Sequence, residues 1–283
     1  MARKRPPWRF PDNAERDYMR VLVKTVQQLA ELAHRAMGPR YPAWLAAAHT
    51  IHVQPLSVRT DDYSSEIDAV LEQLEQQGGA LADYVVVRLP TVFAMVNTYN
   101  DIQFRQIVKA GTGVTLPTSR ATLAPTTGAS PVGIDLYRTE PWLADLQANW
   151  VAQNTSLIRS MTGDSLKRIE TIVRQGVMGG TVTNEVANQL GQAVDISAGR
   201  AKLIAQDQIG KANAALSEYR MRSVGVKEYY WRTLEDSRVR PSHREREGKV
   251  FAFAHPPEDG NPGYPVRCRC YAEPKWPHEG SDE

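Results

Sequence analysis

The sequence predicts a predominantly helical α+β protein in which a small β-containing module closes the chain. Long stretches of the first 225 residues place apolar side chains at helical spacing. From residue 226 the pattern changes to short aromatic strands separated by turns. The predicted order is a helical N-terminal domain over residues 1–110, a linker or long loop over 111–134, a helical region over 135–225, a mixed β module over 226–276 and a tail over 277–283.

The N-terminal region is expected to contain three helices. The first covers residues 12–37, where apolar residues recur at alternating steps of three and four. The second is predicted to close at Gly78-Gly79, because a glycine pair commonly ends a helix. The third covers residues 81–109, and Pro90 is expected to kink or break it, since a proline inside a helix removes a hydrogen bond.

The middle of the chain changes in composition. Glycine, proline, threonine and serine fill most of residues 111–134, and so long a loop is uncommon inside a compact domain. Helical patterning resumes after Thr139 and is predicted to stop at Gly176 and Gly179-Gly180. A short helix should follow, and Ser197 is expected to cap a longer one that ends near residue 224.

Composition excludes several classes of protein. The chain has 283 residues with 34 basic and 32 acidic side chains, a net charge of +2, so any DNA contact must come from local patches. Two cysteines cannot form a disulfide framework. We find no apolar run long enough for a membrane span and no signal peptide, and we therefore expect no membrane contact and synthesis in a cytoplasm.

The last fifty residues carry an ordered set of motifs. A tryptophan strand is followed by D-x-R-V-R-x-x-H, a glycine-aromatic strand and P-x-x-C-R-C. The members are Trp231, Asp236, Arg238, Arg240, His243, Gly248, Cys268, Arg269 and Cys270. Asp236 suits a turn in which its carboxylate accepts from backbone N–H groups or an arginine. Asp236 and His243 form either an acid/base pair or part of a hydrogen-bonded loop, and we favour the structural interpretation.

Three of these residues are candidate zinc ligands. Thiolate and imidazole are ligands that zinc prefers, and a loop-rich module gains folding free energy from a metal. His243, Cys268 and Cys270 are therefore candidates, although C-x-C is tighter than the usual C-x₂-C. The fourth ligand would have to be Asp236, His255 or His278. The alternative is a pair of small, buried, reduced thiols.

Two basic segments are candidate nucleic-acid contacts. The N-terminal group is Arg3, Lys4 and Arg5, and the C-terminal group is Arg238, Arg240, Arg244, Arg246 and Lys249. Exposed basic side chains suffice for phosphate contact. A solvated charged loop and a tail that docks on protein are the alternatives.

The ordered motifs over about residues 154–274 resemble the phage Mu F-like head morphogenesis family, also called the minor head or minor capsid protein family. The resemblance implies a non-enzymatic virion protein of a tailed phage, inside the head near the portal, after assembly in the host cytoplasm. It implies the portal protein and the major capsid or scaffold protein as partners, with packaged double-stranded DNA touched during packaging or ejection. The alternatives are a nuclease or toxin-like enzyme that uses Asp236, His243 and the cysteine pair, and a DNA-binding virion protein.

Overall fold

The structure, a computed structural model, describes residues 8–50, 62–117 and 140–277. Its elements in chain order are α1 (Asp12–Met37), α2 (Tyr41–Thr50), α3 (Asp62–Val86), α4 (Leu89–Thr112), α5 (Leu143–Met178), α6 (Thr183–Ser223), β1 (Glu228–Arg232), α7 (Pro241–Arg244), β2 (Val250–Ala252) and β3 (Tyr271–Lys275). Helices dominate, and the three strands form one small antiparallel sheet near the C-terminus. The predicted fold class is confirmed.

The chain divides into two compact units. The first unit comprises the described residues of Met1–Arg16, Pro90–Val151 and Gln206–Glu283, and the second comprises those of Asp17–Leu89 and Ala152–Ala205. Each unit therefore assembles segments that are distant in sequence. The domain limits drawn from composition stay a prediction, and most of the 111–134 segment and of the 277–283 tail lies outside the described residues.

A glycine pair was expected to end the second predicted helix, and that expectation is wrong. α3 continues through Gly78-Gly79 to Val86. A Cβ atom added at Gly78 would lie 3.1 Å from Leu166 Cδ1 and 3.3 Å from Thr162 Cγ2. The helix continues because its packing against α5 outweighs the low helix propensity of glycine. The absence of a side chain at Gly78 lets α3 approach α5 closely.

Ser197 was expected to cap a helix, and this expectation is also wrong. α6 runs without interruption from Thr183 to Ser223, and Ser197 is buried in its interior. The Oγ atom of Ser165 on α5 lies 3.0 Å from the Oγ atom of Ser197. The Ser197 hydroxyl therefore has a hydrogen-bond partner on a neighbouring helix instead of at a helix N-terminus, and α6 continues through this residue.

The predicted break near Pro90 is confirmed. α3 ends at Val86 and α4 begins at Leu89, so Pro90 occupies the first turn of the new helix. Proline is tolerated at that position because its missing N–H group would have no intrahelical partner there. The end of α5 at Met178, just before Gly179-Gly180, is confirmed as well, whereas the predicted stop at Gly176 is wrong because this residue lies inside the helix.

The sheet supplies the frame of the first unit. Its strand order is β2-β1-β3, and Tyr229 on the central strand pairs with Phe251 on one side and Pro274 on the other. Around it lies one core cluster of buried residues: Phe104, Val108, Leu116, Met221, Val224, Val226, Tyr229, Trp231, Phe253, Cys268, Cys270 and Trp276. The two cysteines are thus part of a packed interior rather than of a surface loop.

The first unit also contains a buried ion pair. Arg220 on α6 has a fully buried side chain, and its Nε atom donates to Glu140 Oε1 at 2.8 Å. The same guanidinium donates to Asn100 Oδ1 at 2.6 Å and to the Asn97 backbone carbonyl at 3.3 Å. A buried charge is tolerated only when it is paired and hydrogen-bonded in this way.

Within the described stretch Tyr63–Thr112, which spans α3 and α4, an 18-residue window with a mean hydropathy of 1.5 reaches the length and composition of a membrane span. The core helices of globular proteins pass the same test, and Leu74, Val85, Leu89 and Phe93 in this stretch are buried. The expectation that the chain makes no membrane contact stays a prediction.

Candidate metal centre and basic surface

Trp231 anchors the C-terminal motifs to the sheet. It lies on β1 opposite Ala272 of β3, and its side chain is fully buried. Its ring meets the His243 ring edge-on with centroids 5.2 Å apart. The tryptophan strand therefore forms one wall of the histidine site. The φ angle of Gly248 is +73°, a conformation that glycine adopts without strain, and the chain turns there into β2.

Asp236 holds a turn, as its position in the motif predicted. Its Oδ1 atom accepts the Arg238 backbone N–H at 3.0 Å, and its Oδ2 atom accepts from the Arg238 guanidinium at 2.9 Å. The hydrogen bond from Arg238 lowers the pKa of the Asp236 carboxyl. Both carboxylate oxygens are thus used in fixing the loop between β1 and α7.

His243 lies on the one-turn helix α7, which starts at Pro241. Its side chain is only 2% exposed. Proline suits the first position of a helix, since its fixed φ angle is already helical. This short helix directs the imidazole inward, toward the C-R-C segment, and away from solvent.

The predicted zinc ligands come together in the structure. The Nδ1 atom of His243 lies 3.5 Å from the Sγ atom of Cys268 and 3.5 Å from the Sγ atom of Cys270. All three ligand atoms lie within 4.8 Å of one another, and all three residues are buried. Two soft thiols and one imidazole make a donor set that suits zinc.

The proposed fourth ligands do not join this cluster. Among the described residues, the group of mutually close ligand atoms contains His243, Cys268 and Cys270 alone. Asp236 is held by Arg238, and His255 is exposed. His278 lies outside the described residues. The part of the chain that the structure describes therefore offers three ligands.

Asp259 is a site residue that the sequence analysis did not predict. Its Oδ2 atom lies 2.9 Å from His243 Nε2, and its Oδ1 atom accepts from Arg246 at 2.5 Å. Burial opposes ionisation of Asp259, but the hydrogen bonds from His243 and Arg246 outweigh it and lower the pKa of the carboxyl. In the sequence, Asp259 precedes Gly260 in a proline-rich segment and is indistinguishable from an ordinary turn aspartate.

The two thiols differ in acidity. A hydrogen bond with Cys270 lowers the pKa of Cys268 to about 6, and the nearby His243 acts in the same direction. The same bond, together with burial, raises the pKa of Cys270.

The C-terminal basic residues divide into two groups. Arg246 faces inward, since its guanidinium lies 4.9 Å from the Trp231 ring centroid and bonds to Asp259. Arg244 and Lys249 are exposed. Arg238 and Arg240 are exposed too, although the first pairs with Asp236 and the second donates to a backbone carbonyl. Arg3, Lys4 and Arg5 lie outside the described residues.

A cavity of about 240 Å³ lies beside the histidine and the cysteines. The three candidate ligands line part of its wall, and four arginines line another part: Arg238, Arg240, Arg267 and Arg269. Arg269 is also held by Glu15 at 3.2 Å and lies 4.8 Å from the Phe10 ring centroid. The cavity is therefore basic, and Asp236 is its one acidic lining residue among those described.

Comparisons with known proteins agree with the motif resemblance. Residues 167–273 match the family model described as Phage Mu protein F like protein. An uncharacterized protein of Haemophilus influenzae is 36% identical over 146 residues, which cover 50% of this chain and 33% of the relative. The chain thus spans about a third of the length of that curated relative. No solved structure matches. The family resemblance is confirmed over the matched segment, which contains His243 and both cysteines.

Proposed function

We propose that the chain is a minor head protein of a tailed phage or prophage and acts in head morphogenesis. The observation that carries this proposal is the family match over residues 167–273, which covers the end of α5, all of α6 and the C-terminal β module up to Glu273 within β3, including the C-R-C segment. The proposed location is the virion, inside the head near the portal, with assembly in the host cytoplasm.

The proposed role is that of an adaptor that binds protein, with the portal protein and the major capsid or scaffold protein as partners. The side chains of the C-terminal motifs support a structural role because they bond to each other. Asp236 is bound by Arg238, and His243 is bound by Asp259. The enzyme alternative pairs Asp236 with His243, whereas the carboxylate on His243 in the structure is that of Asp259.

DNA contact is the second part of the proposal, and the exposed basic side chains near α7 favour it. Arg244 and Lys249 are exposed, and the neighbouring cavity is lined by four arginines. Phosphate binding needs only such side chains, and it depends steeply on salt. The proposed contact is therefore with the phosphate backbone of packaged DNA rather than with base edges.

Copurification tests the protein-binding part. A tagged chain, produced from a lysogen that carries its gene, is expected to retain the portal protein after induction. A second tagged cytoplasmic phage protein that is absent from heads serves as the control. Retention of portal by both baits, or by neither, would remove the adaptor role.

Electrophoretic mobility shift with random-sequence duplex DNA tests the DNA part. The Arg244→Ala/Lys249→Ala double variant is expected to bind more weakly at about 50 mM salt and to lower the salt slope by about two, one for each lost phosphate contact. Lys24→Ala/Arg35→Ala removes the same charge from exposed positions on α1 and is the matched control. Equal loss in both double variants would show a bulk charge effect and contradict a defined basic surface.

A further inference from the structure

We infer that His243, Cys268 and Cys270 bind one zinc ion through Nδ1 and the two Sγ atoms, with a solvent molecule from the adjoining cavity in the fourth position. The inference concerns the purified chain alone. It stands or falls independently of the role in head assembly, because metal content is measured without any partner.

The two nitrogen–sulfur distances fit a tetrahedral zinc ion. With Zn–S of about 2.3 Å and Zn–N of about 2.0 Å, a tetrahedral site places the sulfur and nitrogen atoms about 3.5–3.6 Å apart. The structure has both Sγ atoms 3.5 Å from His243 Nδ1. An ion can therefore enter with little movement of the backbone.

Asp259 orients the imidazole for metal binding. His243 Nε2 lies 2.9 Å from Asp259 Oδ2, and Arg246 holds the other carboxylate oxygen. This bond places the imidazole proton on Nε2, because the carboxylate only accepts, and it leaves the lone pair of Nδ1 directed at the thiols. Histidines that bind metals almost always donate their other ring N–H group to such a partner.

Backbone hydrogen bonds fold the C-R-C segment into a turn around the Cys268 sulfur. The backbone N–H group of Cys270 donates to Cys268 Sγ at 3.4 Å, and the N–H group of Cys268 donates to the Pro265 carbonyl at 2.9 Å. Arg267, just before Cys268, has a φ angle of 57°, which non-glycine residues rarely adopt. An N–H···S bond stabilises a thiolate. Backbone strain such as that at Arg267 is concentrated at functional sites.

The same atoms also resemble a nucleophile, base and orienting carboxylate, and the second thiol decides between the two interpretations. A catalytic cysteine needs one sulfur near one nitrogen. Here two sulfurs converge at equal distance on a single lone pair, and both cysteines are buried, at 7% and 8% exposure. A nucleophile would leave Cys270 without a role, whereas a metal uses both.

A metal would also connect the α7 segment to the C-R-C segment, between which there is little regular secondary structure. Between β1 and β3 the described chain contains a one-turn helix and a three-residue strand. His243 and the cysteines are separated by 25 and 27 residues in sequence. Zinc binding would therefore link the α7 loop to the C-R-C segment within this module.

Metal analysis of the purified full-length chain tests the inference. Expressed in medium containing zinc and purified with a reductant and without chelators, the wild type is expected to contain about one zinc ion per chain. Co²⁺ added to the metal-depleted protein is expected to give visible d–d bands and a sulfur-to-cobalt charge-transfer band. A folded wild type with neither bound zinc nor the cobalt spectrum would overturn the inference, and this result needs no variant.

Variants then locate the ion. The variants Cys268→Ser and Cys270→Ser are expected to lose the bound zinc and the sulfur-to-cobalt charge-transfer band. The variant His243→Gln is expected to lose the bound zinc. His255→Gln, at an exposed histidine in the same module, is the matched control and should keep both. If a ligand variant does not fold, the metal content and cobalt spectrum of the wild type still decide. Full zinc content in a folded Cys268→Ser/Cys270→Ser double variant would overturn the inference.

Discussion

The Nε2 atom of His243 and the Oδ2 atom of Asp259 lie 2.9 Å apart, across 16 residues of loop-rich chain. This contact fixes the imidazole so that its other nitrogen faces Cys268 and Cys270 at equal distance. A single aspartate in a turn thus determines which way the central side chain of the C-terminal module presents its lone pair.

Asp259→Asn is expected to weaken zinc binding about ten- to a hundredfold, because the loss of a carboxylate that holds a metal-binding histidine costs a metal site this much. Competition against a chromophoric chelator measures the Kd. Glu258→Gln removes the same charge from the neighbouring exposed residue and should leave the Kd unchanged. Equal affinities for Asp259→Asn and wild type would show that Asp259 does not support a metal ligand.

Arg220→Met is expected to destabilise the chain by about 3–5 kcal/mol, because it leaves the buried Glu140 carboxylate without its main counter-ion. Arg222→Met removes an i,i+4 pair with Glu218 in which the arginine is more than half exposed, and it should cost less than about 1 kcal/mol. Urea denaturation followed by circular dichroism measures both. Similar midpoints for the two variants would contradict a structural role for the buried pair.

Two glycines of α5 are expected to respond to alanine with opposite signs. A Cβ atom at Gly176 would lie 2.5 Å from Tyr41 Oη and 2.8 Å from Val186 Cγ2, so Gly176→Ala should destabilise by about 1–3 kcal/mol. At Gly163 nothing lies within 4 Å, and Gly163→Ala should stabilise the helix by about 0.5–1 kcal/mol. Thermal unfolding distinguishes them. Stabilisation by both would show that α5 can move away from its neighbours.

Stability is expected to fall at alkaline pH because of buried tyrosines. Burial raises the pKa of Tyr18 above its ordinary value of about 10. The raised value means that its contribution is complete below about pH 10 and is lost as the pH rises beyond it, since the unfolded state ionises first. Tyr18→Phe should reduce this slope in urea titrations, whereas Tyr84→Phe, at a side chain that is half exposed, should not. Identical slopes in all three proteins would contradict this origin.

Much of the helical architecture could be predicted because periodicity and breakers are local signals. The range of α1 and the break before Pro90 were predicted correctly on that basis. Gly78 and Ser197 were misinterpreted because contacts with α5 keep their helices continuous. Those contacts join residues that are far apart in sequence, so no local sequence pattern records them. Tertiary packing outweighed propensity at both positions.

The candidate site shows the same division. His243, Cys268 and Cys270 were predicted as a set from their residue types, and the structure brings them together. Strand β3 was not predicted. It contains Pro274, and it lies at the edge of the sheet, where proline is tolerated. Asp259 could not be predicted, since only the folded loop brings it to the imidazole.

The composition of purified particles tests the central claim most directly. Procapsids and mature heads from an induced lysogen that carries this gene are separated on gradients and analysed by mass spectrometry. The proposed function predicts peptides from this chain in the procapsid fraction together with the portal protein. Absence of the chain from both particle fractions, with expression confirmed in the lysate, would contradict a role in the phage head.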